Sequence, residues 1–361
     1  MWAMIVKEFR QMRRDRRTLA MMIVLPVLLL VVFGYAASFD VSAIPTVVAG
    51  PLAAKVSPPA QFHVLARNKA EGVAWAQTQL RNGKAAVAVV TTAGKPVVLI
   101  DGSQLFVAHA ALAALGGTAP GSGGKTATPG GRRPVVRILY NPALKSSFIM
   151  IPGLAGVVLV FIGIVITSLG VVRERESGTL EQLAVMPLRP RDVFLGKIVP
   201  YFAVAAVDLA IVLAVGVAIF GVPFRGSVPV FALGALLFLF VTLGLGVLIS
   251  SVSENQGQAI QLAVMCTLPQ ILLSGLIFPL SSIGAGVRWI SYILPLTYFN
   301  EISRGVMLRA EPIGSLWRPF VLLALLGAVV VSLAILRFRS YLSPAGPAAT
   351  GPAATNSAES R

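Results

Sequence analysis

The stretch FIMIPGLAGVVLVFIGIVITSLGVV, Phe148 to Val172, runs twenty-five residues without a charged side chain, and RERESGTLEQL, Arg173 to Leu183, follows it at once. A hydrocarbon layer about 30 Å thick is crossed by roughly 20 apolar residues rising ~1.5 Å each as a helix. The run therefore predicts a membrane-spanning helix, and the abrupt charge after Val172 marks where it meets water. Working outward, five further stretches approach that length: Leu19 to Ser38, Ile198 to Phe220, Val228 to Ser250, Ala259 to Pro279 and Trp317 to Leu336. The fold class expected is an α-helical integral membrane protein with six transmembrane helices and a small extracytoplasmic α+β domain between helices 1 and 2. Another apolar piece, Trp289 to Phe299, is broken by Pro295 and is too short to cross, so it reads as interfacial or re-entrant.

Composition agrees with lipid as the main solvent. Of the 361 residues 56% are hydrophobic and 12% charged, with a mean hydropathy of +0.82, which excludes an ordinary soluble domain. A net charge of +16 raises nucleic acid as a partner, but the basic residues fall between apolar runs rather than along one stripe, so no nucleic-acid binding is expected. The single cysteine, Cys266, excludes an intrachain disulfide and reads as a small packing residue. His63 and His109 stand apart from any ligand pattern, so no metal site is expected.

Short basic flanks set the orientation. Lys7, Arg10, Arg13, Arg14, Arg16 and Arg17 outweigh Glu8 and Asp15 before the first span, which predicts a cytoplasmic N-terminus. Six crossings return the C-terminus to the same side, where Arg337 and Arg339 follow the last span. Phe39 to Ser147 is basic too, with eleven Lys or Arg against three acidic residues, but long translocated segments escape the charge rule. The first apolar run exceeds the about 7 to 15 residues of a signal-peptide core and reads as a retained anchor.

The chain divides accordingly. Residues 1–18, with Trp2, Ile5, Val6 and Phe9 at helical spacing, form a cytoplasmic interfacial amphipathic helix, and 19–38 the first span. Residues 39–147 form the extracytoplasmic domain, with strands at Ile44 to Gly50, Gln61 to Ala66, Ala85 to Thr92 and Pro96 to Ile100 and helices at Asn68 to Leu80 and Leu105 to Leu115. Its Gly-, Ser- and Pro-rich tract 116–134 is a flexible linker. The core of spans two to six is 148–338 with a cytoplasmic loop at 173–197, and 339–361 is a disordered cytoplasmic tail. Within the linker, Ala119 to Thr126 reads APGSGGKT, a relaxed phosphate-loop pattern. A working phosphate loop opens a helix, whereas Pro129, Gly130 and Gly131 follow here, so nucleotide binding by this chain is rejected.

The loop after the first-quoted run is the densest polar stretch between spans. Glu174, Glu176 and Glu181 alternate with Arg173, Arg175, Arg189 and Arg191, too balanced for a plain positive-inside flank. One reading is a solvated loop whose ion pairs contribute only ~0 to 1 kcal/mol. The other is a short helix starting at Gly178 and Thr179, with Leu180, Leu183 and Ala184 on one face, Glu181 and Gln182 beside it, and Pro187 ending it. A helix with an apolar edge just below the membrane is a shape a soluble partner can grip.

With LYNP at Leu139 to Pro142, RERESGTLEQL at Arg173 to Leu183, Pro187, GKIVPY at Gly196 to Tyr201 and LPLTYFNEISRGVMLRA at Leu294 to Ala310, the chain resembles the type-2 permeases of ATP-binding-cassette (ABC) transporters, especially bacterial exporters of drugs and related amphiphiles. The resemblance covers nearly the whole chain. It implies a membrane-spanning subunit without its own ATPase site in the bacterial plasma membrane, exporting an amphiphilic substrate. It also implies a separate ABC ATPase subunit, holding ATP and magnesium, that grips Arg173, Glu174, Arg175, Glu176, Gly178, Thr179, Leu180, Glu181, Gln182, Leu183 and Pro187. No cofactor is expected on this chain. The outer domain departs from many relatives in Ala49, Gly50 and Pro51, where they carry an acidic residue, and in the 116–134 tract, which leaves the substrate open.

A second permease, identical or paralogous, is the expected partner besides membrane lipid, with spans two and five lining the path between them. Asp208 lies mid-span, where a carboxylate costs roughly 2.5–3.5 kcal/mol, and reads either as a substrate or proton contact or as a hydrogen-bonded packing residue. Gln258, Gln261 and Gln270 read as packing glue or substrate contacts on the same reasoning. Glu301 and Arg304, three apart on a helix, can pair. A gradient-driven secondary transporter would favour internal repeats and several buried charges, where this chain has one and no clear repeat. A receptor or scaffold would not need five further spans.

Overall fold

The computed structural model describes residues 43–92, 95–116, 134–177 and 190–342. The expected N-terminal helix, first span and most of the linker lie outside the described residues, as do the centre of the cytoplasmic loop and the tail from 343 on; residues 339–342, expected in the disordered tail, continue the last helix.

Five strands come first: β1 Ile44–Ala49, β2 Phe62–Asn68, β3 Val87–Val90, β4 Val97–Asp101 and β5 Val135–Leu139, in the order β2-β1-β3-β4-β5. β1 runs parallel to β2 and β3, β4 antiparallel to β3, and β5 parallel to β4. Helix α1, Val73–Arg81, connects β2 to β3, and α2, Leu105–Ala114, lies between β4 and β5. Both crossovers step the same way across the sheet but along opposite strand directions, so one handedness of crossover puts the helices on opposite faces. The packing agrees. Val47, Ala49, Ala88, Val90 and Leu99 pack with Ala76 and Leu80 of α1, whereas Ile44, Val87, Val98 and Ile100 pack with Val107, Ala108, Ala111 and Leu112 of α2. Covering both faces of a sheet explains its short, nearly continuous Val, Ile and Ala runs. The region is thus a mixed α/β sheet rather than the looser α+β arrangement expected, and β5 had not been expected at all. α1 begins at Val73 rather than Asn68, because Asn68 ends β2 and its side chain accepts the backbone N–H of Ala70 at 3.1 Å, forming a turn.

The helical region follows. α3, Ser146–Val160, continues through a π-helical segment, Phe161–Ile166, into α4, Thr167–Glu176. Then come α5, Pro190–Phe220, α6, Val228–Val252, α7, Gln256–Leu273, α8, Ala285–Ser291, α9, Pro295–Arg309, and α10, Trp317–Leu342. Among the described residues four stretches are long and apolar enough to cross a membrane: Ser146–Arg173, Tyr201–Phe220, Val228–Val252 and Trp317–Arg337. The protein is therefore a helical membrane protein with an α/β sheet ahead of four candidate spans. The span expected at Ala259 to Pro279 is shorter, because α7 stops at Leu273 and Gly275 takes the left-handed φ of +80° that turns the chain away.

The π segment lies where α6 comes closest. A Cβ on Gly246 would stand 2.3 Å from the Gly163 carbonyl oxygen, and one on Gly163 2.3 Å from Thr242 Oγ1, so only glycine permits this crossing. The apolar piece expected as one interfacial segment at Trp289 to Phe299 is two helices. Pro295 occupies the first turn of α9, where its missing N–H costs nothing. α9 is buried along nearly its whole length between α3, α6 and α10, with Phe299 stacked on Phe238 at 4.5 Å between ring centroids.

Candidate functional site

At one end of the helical region α4 carries the root of the charged loop. Arg173 is exposed, Glu174 and Arg175 follow it on the helix, and Glu176 is exposed at its last turn. The Glu176 carboxylate accepts the backbone N–H of Gln256 at 3.0 Å and a second bond from the Gln256 side-chain amide. These bonds hold the carboxyl below the usual glutamate range. Gln256 is the first residue of α7, so the carboxylate also meets the positive end of that helix. The α7 start is closed reciprocally: Asn255 Oδ1 accepts from Gln258 N and Gln258 Oε1 from Glu254 N, both at 2.9 Å. Gly178, Thr179, Leu180, Glu181, Gln182, Leu183 and Pro187 lie outside the described residues. The Glu176–Gln256 tie escaped sequence reasoning, although Asn255 followed three residues later by Gln258 is a readable capping signal.

The intramembrane polar residues do not converge. Asp208 is half-buried on α5, which packs mainly on α3 and α6, while Gln261 and Gln270 belong to α7, packed on α4, the π segment and α9. Nine residues apart, the two glutamines point about 180° from each other around the helix. Gln270 is fully buried and donates to the Cys266 carbonyl at 3.4 Å, but its Oε1 and that of Gln261 have no partner. Gln258, by contrast, is the cap residue just described.

The other end is where the sheet meets α9. Arg309, the last residue of α9, is 7% exposed and stands 3.7 Å from Asp101 of β4 and 2.8 Å from Glu311. Asp101 is fully buried and accepts the backbone N–H of Ser103 at 2.9 Å. Burial raises the pKa of Asp101 and of Glu311, with Arg309 partly offsetting it; burial pulls Arg309 down, but Asp101 and Glu311 more than restore it. Arg81 at the end of α1 donates to the Ala310 carbonyl through Nε at 3.1 Å and Nη2 at 2.6 Å. The LYNP motif forms the covalent joint beside this cluster. Tyr140 takes a φ of +67°, and buried Asn141 exchanges two 3.0 Å bonds with the backbone of Lys145, launching α3. Burial first, and then the Asp101 charge, push the Tyr140 hydroxyl up to about 12. Glu301 and Arg304 do not form the pair their spacing allows, and no ion pair joins them among the described residues.

The described residues thus combine four candidate membrane spans with a sheet domain clamped to a buried helix. The sequence profile described as ABC-2 family transporter protein matches residues 16–336, and the chain belongs to that family. It is 32% identical over 333 residues to the probable multidrug ABC transporter permease YbhS of Escherichia coli K12, an alignment covering 86% of this chain and 88% of that one. The probable multidrug ABC transporter permease YbhR of the same strain is 34% identical over 57% of this chain and 56% of its own length. The inner membrane transport permease YhhJ is 32% identical over 57% and 55%. The chain is accordingly a membrane permease of an ABC transporter.

Proposed function

We propose that this permease exports an amphiphilic molecule, a drug, lipid or related compound, using ATP hydrolysed by a separate nucleotide-binding subunit that carries the ATP and magnesium. The observation that carries the reading is the near full-length likeness to YbhS, whose name assigns it to probable multidrug transport. The ATPase subunit grips the loop from Arg173 to Pro187, and Glu176 relays its movement to α7 through Gln256. Movement at one end then favours one state of the bundle by differential contacts, as any ligand-driven switch requires.

The basic flanks support cytoplasmic termini, an inner-membrane location like that in the name of YhhJ, and an extracytoplasmic sheet domain between the first and second of six spans. A second permease is supported by α5. Its Tyr201–Phe220 stretch is only 17% buried, against 67% for Ser146–Arg173, and Asp208 lies near the exposed Val204, Val207 and Ile211. A carboxylate on that side calls for protein or water rather than lipid. The match to both YbhS and YbhR of one strain supports a pair of related permeases as well as two copies.

The test is purification of the full chain from its native host in mild detergent, with mass spectrometry of bound proteins and ATPase assays on wild type and a Gly178→Pro, Glu181→Ala variant. An ATP-binding subunit that accompanies the wild type and is lost or uncoupled in the variant is the expected result. Transport that persists on an ion gradient with no such subunit bound overturns it.

A further inference from the structure

A cavity of about 310 Å³ lies between the sheet domain and α9, within the size range of small-molecule sites. The start of α2 forms one wall, α9 the other, and the turn from Ser274 to Leu280 forms the rim. Its lining is divided in character. Leu105, Ile149, Leu276 and Leu280 present hydrocarbon, while Asn300 and Arg304 of α9 present polar groups.

Arg304 is partly buried and lines this cavity. Its Nη2 donates to the Leu276 carbonyl at 3.3 Å, a neutral acceptor, and its Nε has no partner. No carboxylate pairs with it among the described residues: Asp101 and Glu311 bind Arg309, so the Asp101 charge acts on Arg304 only at a distance, and Glu301, which also lines the cavity, forms no ion pair with it. One turn earlier, Asn300 uses its Nδ2 on Ser274 Oγ at 3.0 Å and leaves its buried Oδ1 unpartnered. Burial lowers Arg304 to about 10, so it still carries its charge at neutral pH. A partly buried guanidinium with no carboxylate bound to it is costly, and buried polar groups are rarely left unmatched unless something else binds them.

We propose that this cavity binds an acidic amphiphile, Arg304 gripping its carboxylate, phosphate or sulfate and the Leu105, Ile149 and Leu276 wall taking its apolar body. All of its lining residues belong to one chain. A role in export rests on the permease reading above; the binding chemistry does not.

The experiment uses the full chain in nanodiscs of phosphatidylcholine, titrated with 11-(dansylamino)undecanoic acid and with its methyl ester. Wild type binds the acid more tightly than the ester, and Arg304→Gln weakens the acid roughly ten- to a hundredfold, the weight of one charge-assisted hydrogen bond, while leaving the ester unchanged. Arg304→Lys, which keeps the charge but loses the planar fork, falls between. Equal binding of acid and ester to wild type, or unchanged acid binding in Arg304→Gln, overturns the proposal. Should Arg304→Gln not fold, Leu280→Trp fills the cavity with the charge in place. Lost acid binding then supports the site and undiminished binding overturns it. Phosphatidylglycerol added to the discs displaces the probe if a lipid headgroup is the natural occupant and leaves it bound if a free amphiphile is; either result keeps the Arg304 site. No nucleotide or partner enters the assay, so failure to find an ATPase subunit would sink the permease reading and leave this site standing.

Discussion

The two ends of the helical region hold charge in opposite ways. Where the sheet meets α9, Asp101, Arg309 and Glu311 are almost fully buried and bound to one another. Where α4 meets α7, the exposed carboxylate of Glu176 rests on an exposed helix start. A buried charge left unpaired is costly, so the first arrangement resists separation; an exposed tie exchanges readily with water, so the second can open and close at little cost. The difference teaches that a rigid joint and a movable link can both be built from ionic groups, with burial deciding which is which.

The sharpest way to break this comparison is Arg309→Met, which strands Asp101 and Glu311. A loss of about 3–5 kcal/mol is expected, read as a drop in the melting temperature of the detergent-purified chain. The triple change Asp101→Leu, Arg309→Met, Glu311→Leu should recover most of it, because no buried charge then lacks its partner. A triple variant as unstable as the single one would mean that the cluster's geometry, rather than charge balance, holds the joint.

Smaller effects follow. Gly246→Val drives a side chain into the Gly163 carbonyl and should cost about 1–3 kcal/mol in the same assay, separating damage to the shaft from damage to its ends. Asn141→Ala removes two bonds at the start of α3, for about 1–2 kcal/mol. Glu176→Gln should lower the melting temperature less than any of these changes yet weaken stimulation of ATPase activity by the assembled permease; unaltered stimulation would remove Glu176 from the relay.

Acid sharpens the same point. The Gln256 bonds depress the folded-state pKa of Glu176. The stabilising contribution is therefore fully present above the unfolded glutamate value of about 4.3 and is lost as pH falls through the lower folded value. Spin labels at Ser177 and Gly257 should report a distance that broadens over that window in wild type and is broad throughout in Glu176→Gln.

Much of the fold was legible. Ser146–Arg173, Tyr201–Phe220, Val228–Val252 and Trp317–Arg337 were visible because a span needs only length and apolarity, which are local properties. Four strands showed through their Val and Ile runs between turn residues. β5 did not, since Arg137 interrupts it and its pattern is that of a half-exposed edge strand beside a Gly-rich tract. Of the site, the charged loop was visible by its composition, but the Glu176 tie joins residues 80 positions apart and left no trace in either segment alone.

What the amino-acid order determined by itself is the solvent of each segment, the places where helices must stop at Pro and Gly, and membership of the ABC-2 family. What only the tertiary structure decided is which polar residues meet. Arg309 and Ser103 touch across 206 positions, Arg304 lies beside a cavity instead of Glu301, and Asp208 stands away from Gln261 and Gln270. The physical reason is that burial and apolar periodicity are written locally, residue by residue, whereas the partner of a buried charge is set by how whole helices and sheets pack.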